Sequence, residues 1–179
     1  MLIAIIIISV VGTLLHFTYE FSHHNKIMAL FAAVNESTWE HIKIALTPTL
    51  LYSLYDGFCY GTNPNYFFAK VLSLLTIILV IPLIFYSYTS LTKKPILVID
   101  ILSFYITIAL SQIVFYAILK MPALPFTINY IGAVGTFIIF GIYMTATLFP
   151  VKNFLFKDPL TKEYGIKAHE IYDKQKKHK

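Results

Sequence analysis

Imidazoles and carboxylates crowd the opening of this sequence: His16, Glu20, His23 and His24, then Glu36, Glu40 and His41, with Lys43 three residues beyond Glu40. The first four stand at i, i+4, i+7 and i+8, so on one continuous helix they would share a face. Such groups are the natural ligands of Zn²⁺, Mn²⁺ or Fe²⁺, and three or four within reach suffice. The metal set read from this spacing is His16, Glu20 and His41, with His23 and His24 in reserve. Glu36 or Glu40 would then serve as the general base that activates a bound water. The spacing matches no established signature: HExxH is absent, and the one Glu-x-x-His, Glu20 to His23, is half of a di-iron pattern. The plainer reading is a structural network. In it Glu40 completes a helix cap, His16 fixes helix packing, and His23, His24 and Lys26 solvate a loop.

Asp56 and Asp100 are the other carboxylates near long apolar runs, and ionisable groups there normally face a cavity or a partner. Asp56 is expected to pair with Lys70. Asp100 is placed to approach Lys43 or the His16 cluster, and Asp100, Lys43 and Glu40 together would suit a proton or ion path. Gln112 reads as an interhelical hydrogen bond. Pro48, five residues after Lys43, removes a helical hydrogen bond and frees the carbonyl of Ile44.

The elements that must position these groups are read from charge and hydropathy. Of the 179 residues, 58% are hydrophobic and 13% charged, against about 25% charged in an ordinary soluble domain. Residues 1–19, 71–92, 101–119 and 121–151 carry no Asp, Glu, Lys or Arg, and roughly 20 apolar residues of helix cross a bilayer. The expected fold class is all-α, a polytopic membrane helix bundle of about five transmembrane helices in residues 1–151, followed by a basic tail over 152–179. The first helix covers about Leu2–Glu20, with an extension to His24 left open by the sequence, and reads as a retained span rather than a cleaved signal. Residues 27–34 could lie in the interface or re-enter. The second helix starts at Ser37-Thr38-Trp39-Glu40, a capping box, and ends before Gly61-Thr62-Asn63-Pro64-Asn65. It is the shortest apolar stretch of the five. The remaining helices cover about 67–88, 95–119 and 127–149, the last carrying Gly132, Gly135 and Gly141 for close packing.

Eight of the fourteen lysines lie in the tail, and Lys26, Lys93 and Lys94 fall on the same side if five helices alternate. The positive-inside rule then puts the amino terminus outside and the tail in the cytoplasm of a multi-pass protein in the cell membrane. The bilayer is the expected partner. There is no arginine for base contacts, so nucleic acid is not a partner. The single cysteine, Cys59, excludes an internal disulfide framework. Five spans are few for a lone transporter, which would make a homo-oligomer or a membrane partner subunit the working unit.

The segments His16-Phe17-Thr18-Tyr19-Glu20-Phe21-Ser22 and Val34-Asn35-Glu36-Ser37-Thr38-Trp39-Glu40-His41-Ile42-Lys43 resemble a bacterial integral-membrane family known only as a domain of unknown function, with HxxYExS and VNESxWEHxK motifs. Leu155–Ile166 resembles the ending of that family. The resemblance implies a multi-span membrane protein and no reaction. It also implies that Phe156–Ile166 folds back on the helix ends, where Asp158-Pro159 and Tyr164-Gly165 suit ordered turns. Three functions stay open: a membrane protein of unassigned activity with a cytoplasm-facing polar site between the first two helices; a membrane-embedded metal-dependent hydrolase acting on a lipid-like substrate; and a transporter or transport-complex subunit. A divalent metal is the one cofactor these residues suggest.

Overall fold

A computed structural model describes the backbone of residues 1–177 and side chains through residue 171; residues 178 and 179 of the tail lie outside it. The described residues form six α-helices: α1 (Leu2–Phe21), α2 (Thr38–Tyr60), α3 (Tyr66–Thr92), α4 (Leu97–Leu119), α5 (Phe126–Ala146) and α6 (Ile166–Lys177). A short 3-10 turn at Met28–Leu30 interrupts the α1–α2 connection. Among the described residues the only extended pairing is an isolated antiparallel bridge between Lys157 and Tyr164.

The bundle is apolar outside as well as within, where Ile8, Ile42, Leu46, Leu74, Ile77 and Ile108 are fully buried. Large apolar side chains point outward along α1, α4 and α5, among them Leu14, Leu102, Ile113, Phe137 and Ile138, whereas Ser73, Thr107, Ser111 and Gln112 are fully buried. That distribution suits a solvent as apolar as the protein interior, which rewards helix packing and interior hydrogen bonds. The helices α1, α3, α4 and α5 are long and apolar enough to cross a membrane. At 23 residues α2 is also long enough, but its polar load keeps it out of that group. It turns that load inward: Thr38 through Ile42 apart from His41, then Lys43 through Thr49, are all buried.

Helix α3 packs along α4 and α5, α1 along α2 and α4, and α2 along α3. At one end the tail meets the start of α2 and the end of α3: Trp39 N donates to Leu155 O at 2.9 Å, and Tyr86 OH donates to Phe154 O at 3.2 Å. At the opposite end Asn65, fully buried, ties the α2–α3 turn to the α4–α5 connection. Its Nδ2 donates to the carbonyls of Ile118, Met121 and Pro122, and its Oδ1 accepts from Leu124 N at 2.9 Å. There too, Asn129 Oδ1 on α5 accepts the first-turn amides of α3, Phe67 N and Phe68 N, which have no intrahelical partner. Helix α2 therefore runs the length of the bundle without a break.

Close crossings rest on glycine. A Cβ at Gly12 would lie 2.6 Å from Ile44 O and 2.6 Å from Phe104 Cζ, and one at Gly132 would lie 2.5 Å from Phe68 N. Ile44 is the residue whose carbonyl Pro48 frees, so the missing side chain of Gly12 lets α1 approach an exposed backbone dipole. Gly135 also meets α3, at Val71, while Gly141 faces open space.

Candidate functional site

The spacing argument for one four-residue face fails at the end of α1. His23 and His24 adopt left-handed backbone conformations, φ 53° and 62°, which end the helix at Phe21 and turn both histidines away from the line of His16 and Glu20. His24 instead meets the tail: its Nε2 lies 2.9 Å from His169 Nε2, and Tyr19 packs edge-on to the same His169 ring. The connection then covers the end of the bundle, with Ala29, Ala32, Ala33 and Val34 buried. It is a packed loop rather than an interfacial segment.

Two separate polar groups form beneath it. The first is closed. Lys43, wholly buried, donates to Glu40 Oε2 at 2.5 Å, Ala29 O at 2.8 Å and Thr147 Oγ1 at 2.9 Å, which uses all three ammonium protons. Glu40 Oε2 also accepts Val34 N at 3.0 Å. One turn further, Thr47 Oγ1 donates toward Phe31 O and the carbonyl of Lys43, and it lies 2.5 Å from Tyr143 OH. The network joins the loop, α2 and the end of α5. The capping box is only half made: Ser37 Oγ accepts Glu40 N at 3.4 Å, but Ser37 N is bound by Asn35 Oδ1, leaving the Glu40 carboxylate to the buried lysine.

The second group is open. Glu36 lies between two imidazoles, with His16 Nε2 3.7 Å from its Oε1 and His41 Nε2 3.8 Å from its Oε2, and all three side chains are half-buried. The rings of His16 and His41 are 6.0 Å apart. His41 Nδ1 faces Ser37 O at 3.0 Å. A carbonyl only accepts, so Nδ1 carries the hydrogen and the Nε2 lone pair of a neutral His41 faces the carboxylate. Two acceptors face each other there, and the contact becomes attractive when a proton, a water or a cation lies between them. A histidine anchored by Nδ1–H to a backbone carbonyl is also the usual second-shell arrangement of a metal ligand.

Glu20 is exposed one turn after His16 and close enough to act on it electrostatically. Asp100 does not meet Lys43. Its Oδ1 accepts from Tyr88 OH at 2.5 Å, and Tyr88 OH accepts Ile96 N, tying α4 to the end of α3. Asp100 nevertheless shares a shallow recess with His41, Thr38, Ser103 and Phe104, whose volume of about 20 Å³ holds about one water. The predicted residues thus divide into Glu36 with His16 and His41, Glu40 with Lys43, and Asp100 across a recess from His41. Among the described residues, no three His, Cys, Asp or Glu side chains are grouped so as to hold a metal ion.

The tail folds back onto this end, as the resemblance implied. Phe156 stacks on Trp39 with ring centroids 4.7 Å apart. Asn35 Nδ2 donates to Gly165 O at 2.9 Å, and Asp158 accepts Leu160 N and Thr161 N through Oδ1 and Glu36 N through Oδ2. Asn35, Glu36 and Trp39 therefore bind the tail as well as the bundle. Sequence reasoning missed Thr47, Tyr143 and Thr147. Their signal was the four-residue spacing of Lys43 to Thr47 and of Tyr143 to Thr147, at the lysine-bearing ends of two helices.

No curated protein and no solved structure matches this sequence. The profile of a family of unknown function, DUF6512, matches residues 1–166 and so spans both the loop before α2 and the tail that clasps it, and the chain belongs to that family.

Proposed function

We propose that this integral membrane protein works through an acid–base centre, His16–Glu36–His41, which holds a proton between carboxylate and imidazole. The centre exchanges that proton with water, which the recess beside Asp100 has room to admit. The observation that carries this reading is the lone pair of His41 Nε2 facing Glu36, with His41 Nδ1 anchored on Ser37 O. Glu40 and Lys43 support the loop that carries Glu36, and Asp100 is a recess group. Five helices span the bilayer in this reading. The end that carries Lys26, Lys93, Lys94 and the tail faces the cytoplasm, by the positive-inside rule.

A functional site is dispensable for folding, whereas a structural network is not. Glu36→Gln and His41→Ala are expected to leave unfolding in detergent unchanged or to raise its midpoint. If both lower stability as much as Glu40→Gln does, the cluster is structural. The Nδ1 anchor of His41 on Ser37 O supports a second reading, a metal-dependent hydrolase, in which His16, Glu36 and His41 would have to close together to ligate a metal. Elemental analysis of protein purified without chelators separates the two readings. Stoichiometric metal lost in both His16→Ala and His41→Ala supports the hydrolase, and metal-free protein supports the acid–base centre.

A further inference from the structure

Along α4, Asp100, Ser103, Thr107 and Ser111 follow at i, i+3, i+7 and i+11 and share one face, with Gln112 beside it. Thr107, Ser111 and Gln112 are fully buried, and Ser103 is 7% exposed. Ser111 Oγ lies 2.9 Å from Ser73 Oγ on α3, and Gln112 Nε2 donates to Ser111 Oγ at 3.5 Å. One turn before Ser73 stands Lys70, which donates to Asp56 Oδ2 at 2.6 Å. The Lys70 ammonium lies 4.1 Å from the ring centroid of Phe115, one turn after Ser111. The seam thus runs down the inside of the bundle from the recess at Asp100 to a buried ion pair near the opposite end.

Three of the four buried side-chain atoms with no protein partner among the described residues belong to this seam: Thr107 Oγ1, Gln112 Oε1 and Asp56 Oδ1. A buried polar atom left unpaired costs about 1–3 kcal/mol, so three of them together call for a ligand. Two are pure acceptors, so the ligand brings hydrogen donors or positive charge. The charge of Asp56 is already matched by Lys70, and a metal cation there would leave the apolar interior with net positive charge. Water, both donor and acceptor, matches the hydrogen-bonding needs of all three atoms, and a carboxylate beside it can receive a proton.

We propose that this seam is a proton path, with waters bridging Thr107, Gln112 and Asp56. A proton arriving from the water chain bonds to Asp56 Oδ1, converting carboxylate to acid while Lys70 stays an ammonium. It leaves by the same oxygen to a water on the far side, and the carboxylate is restored without movement of electrons. Tyr52, Tyr66 and Tyr116 are the other titratable groups that act electrostatically on Asp56.

The test is proton flux into liposomes containing the full chain, driven by a potassium diffusion potential and read with an entrapped pH dye. Wild-type flux is expected to exceed that of protein-free liposomes. Thr107→Val, which keeps side-chain volume and alters no charge, and Gln112→Leu each lower the protein-dependent flux at least about tenfold, the effect of roughly 1.4 kcal/mol on a barrier. Asp56→Asn abolishes the flux, and Thr145→Val, at an exposed site on α5, leaves it unchanged. Size-exclusion elution and helical circular dichroism establish that each variant is folded. Wild-type flux equal to that of protein-free liposomes overturns the path, as does undiminished flux in Thr107→Val. Neither result bears on His16–Glu36–His41, which is read by stability and metal content.

Discussion

Replacing one member of the Glu40–Lys43 pair should do more damage than replacing both. Both side chains are at most 2% exposed, and the ammonium has no water to fall back on. Glu40→Gln keeps the size of the side chain but removes the charge, so Lys43 remains an uncompensated cation held by neutral acceptors alone, among them Ala29 O and Thr147 Oγ1. Lys43→Met strands the opposite charge on Glu40, with one backbone amide from Val34 to stabilise it. Breaking a buried pair from one side costs about 3–5 kcal/mol, whereas exchanging both partners for uncharged residues of similar volume is often neutral. The double variant Glu40→Gln/Lys43→Met should therefore recover most of either single loss, a coupling of roughly 3 kcal/mol or more. Equilibrium unfolding in mixed micelles, run as a double-mutant cycle, measures it. Single losses below about 1 kcal/mol, the range of solvent-exposed pairs, would show that the pair is hydrated and does not hold the loop.

Three further outcomes follow from the packing. Gly12→Ala should lose about 1–3 kcal/mol by overpacking against the Ile44 carbonyl, while Gly141→Ala, facing open space, should gain about 0.5–1 kcal/mol of helix propensity; the same unfolding assay compares them. Phe156→Ala should free the tail at a cost of about 3 kcal/mol, so that trypsin cuts after Lys157 and Lys162 about 100-fold faster, and unchanged cleavage would mean the stack on Trp39 is not what holds the tail. Asn65→Ala leaves Leu124 N without its acceptor and three carbonyls without a donor, a loss of about 1–3 kcal/mol or more, visible as faster amide hydrogen exchange across residues 119–125.

The long uncharged runs made α1, α3, α4 and α5 legible, because a bilayer constrains helix length directly. The Asp56–Lys70 pair was legible for a similar reason: two opposite charges near the hydrocarbon must find one another. The Glu40–Lys43 pair was less so. A serine with a glutamate three residues later ordinarily forms a reciprocal cap, and here Asn35 takes the serine amide, which frees Glu40 for the interior. The left-handed turn at His23 and His24 carried only a weak local signal, since histidine enters that region more often than most residues but far less readily than glycine. His16 and His41 are brought to Glu36 by the crossing of α1 over α2. That crossing depends on Gly12, a residue whose function is to be absent.

The hydrogen bond from Trp39 N to Leu155 O has a consequence for the order in which this protein is made. Trp39 lies in the first turn of α2, and its amide is completed by a carbonyl encoded 116 positions later. Lys43 likewise waits for Thr147, and Asn35 for Gly165. A growing chain therefore inserts its early helices before the segment that locks their shared end exists. Until the tail emerges, Glu36 on the loop and Glu40 in the first turn of α2 lie beneath an unfinished lid. Synthesis itself thus sets a period in which this end of the bundle stays unsealed, and a chain stopped before the tail carries helices in place around it.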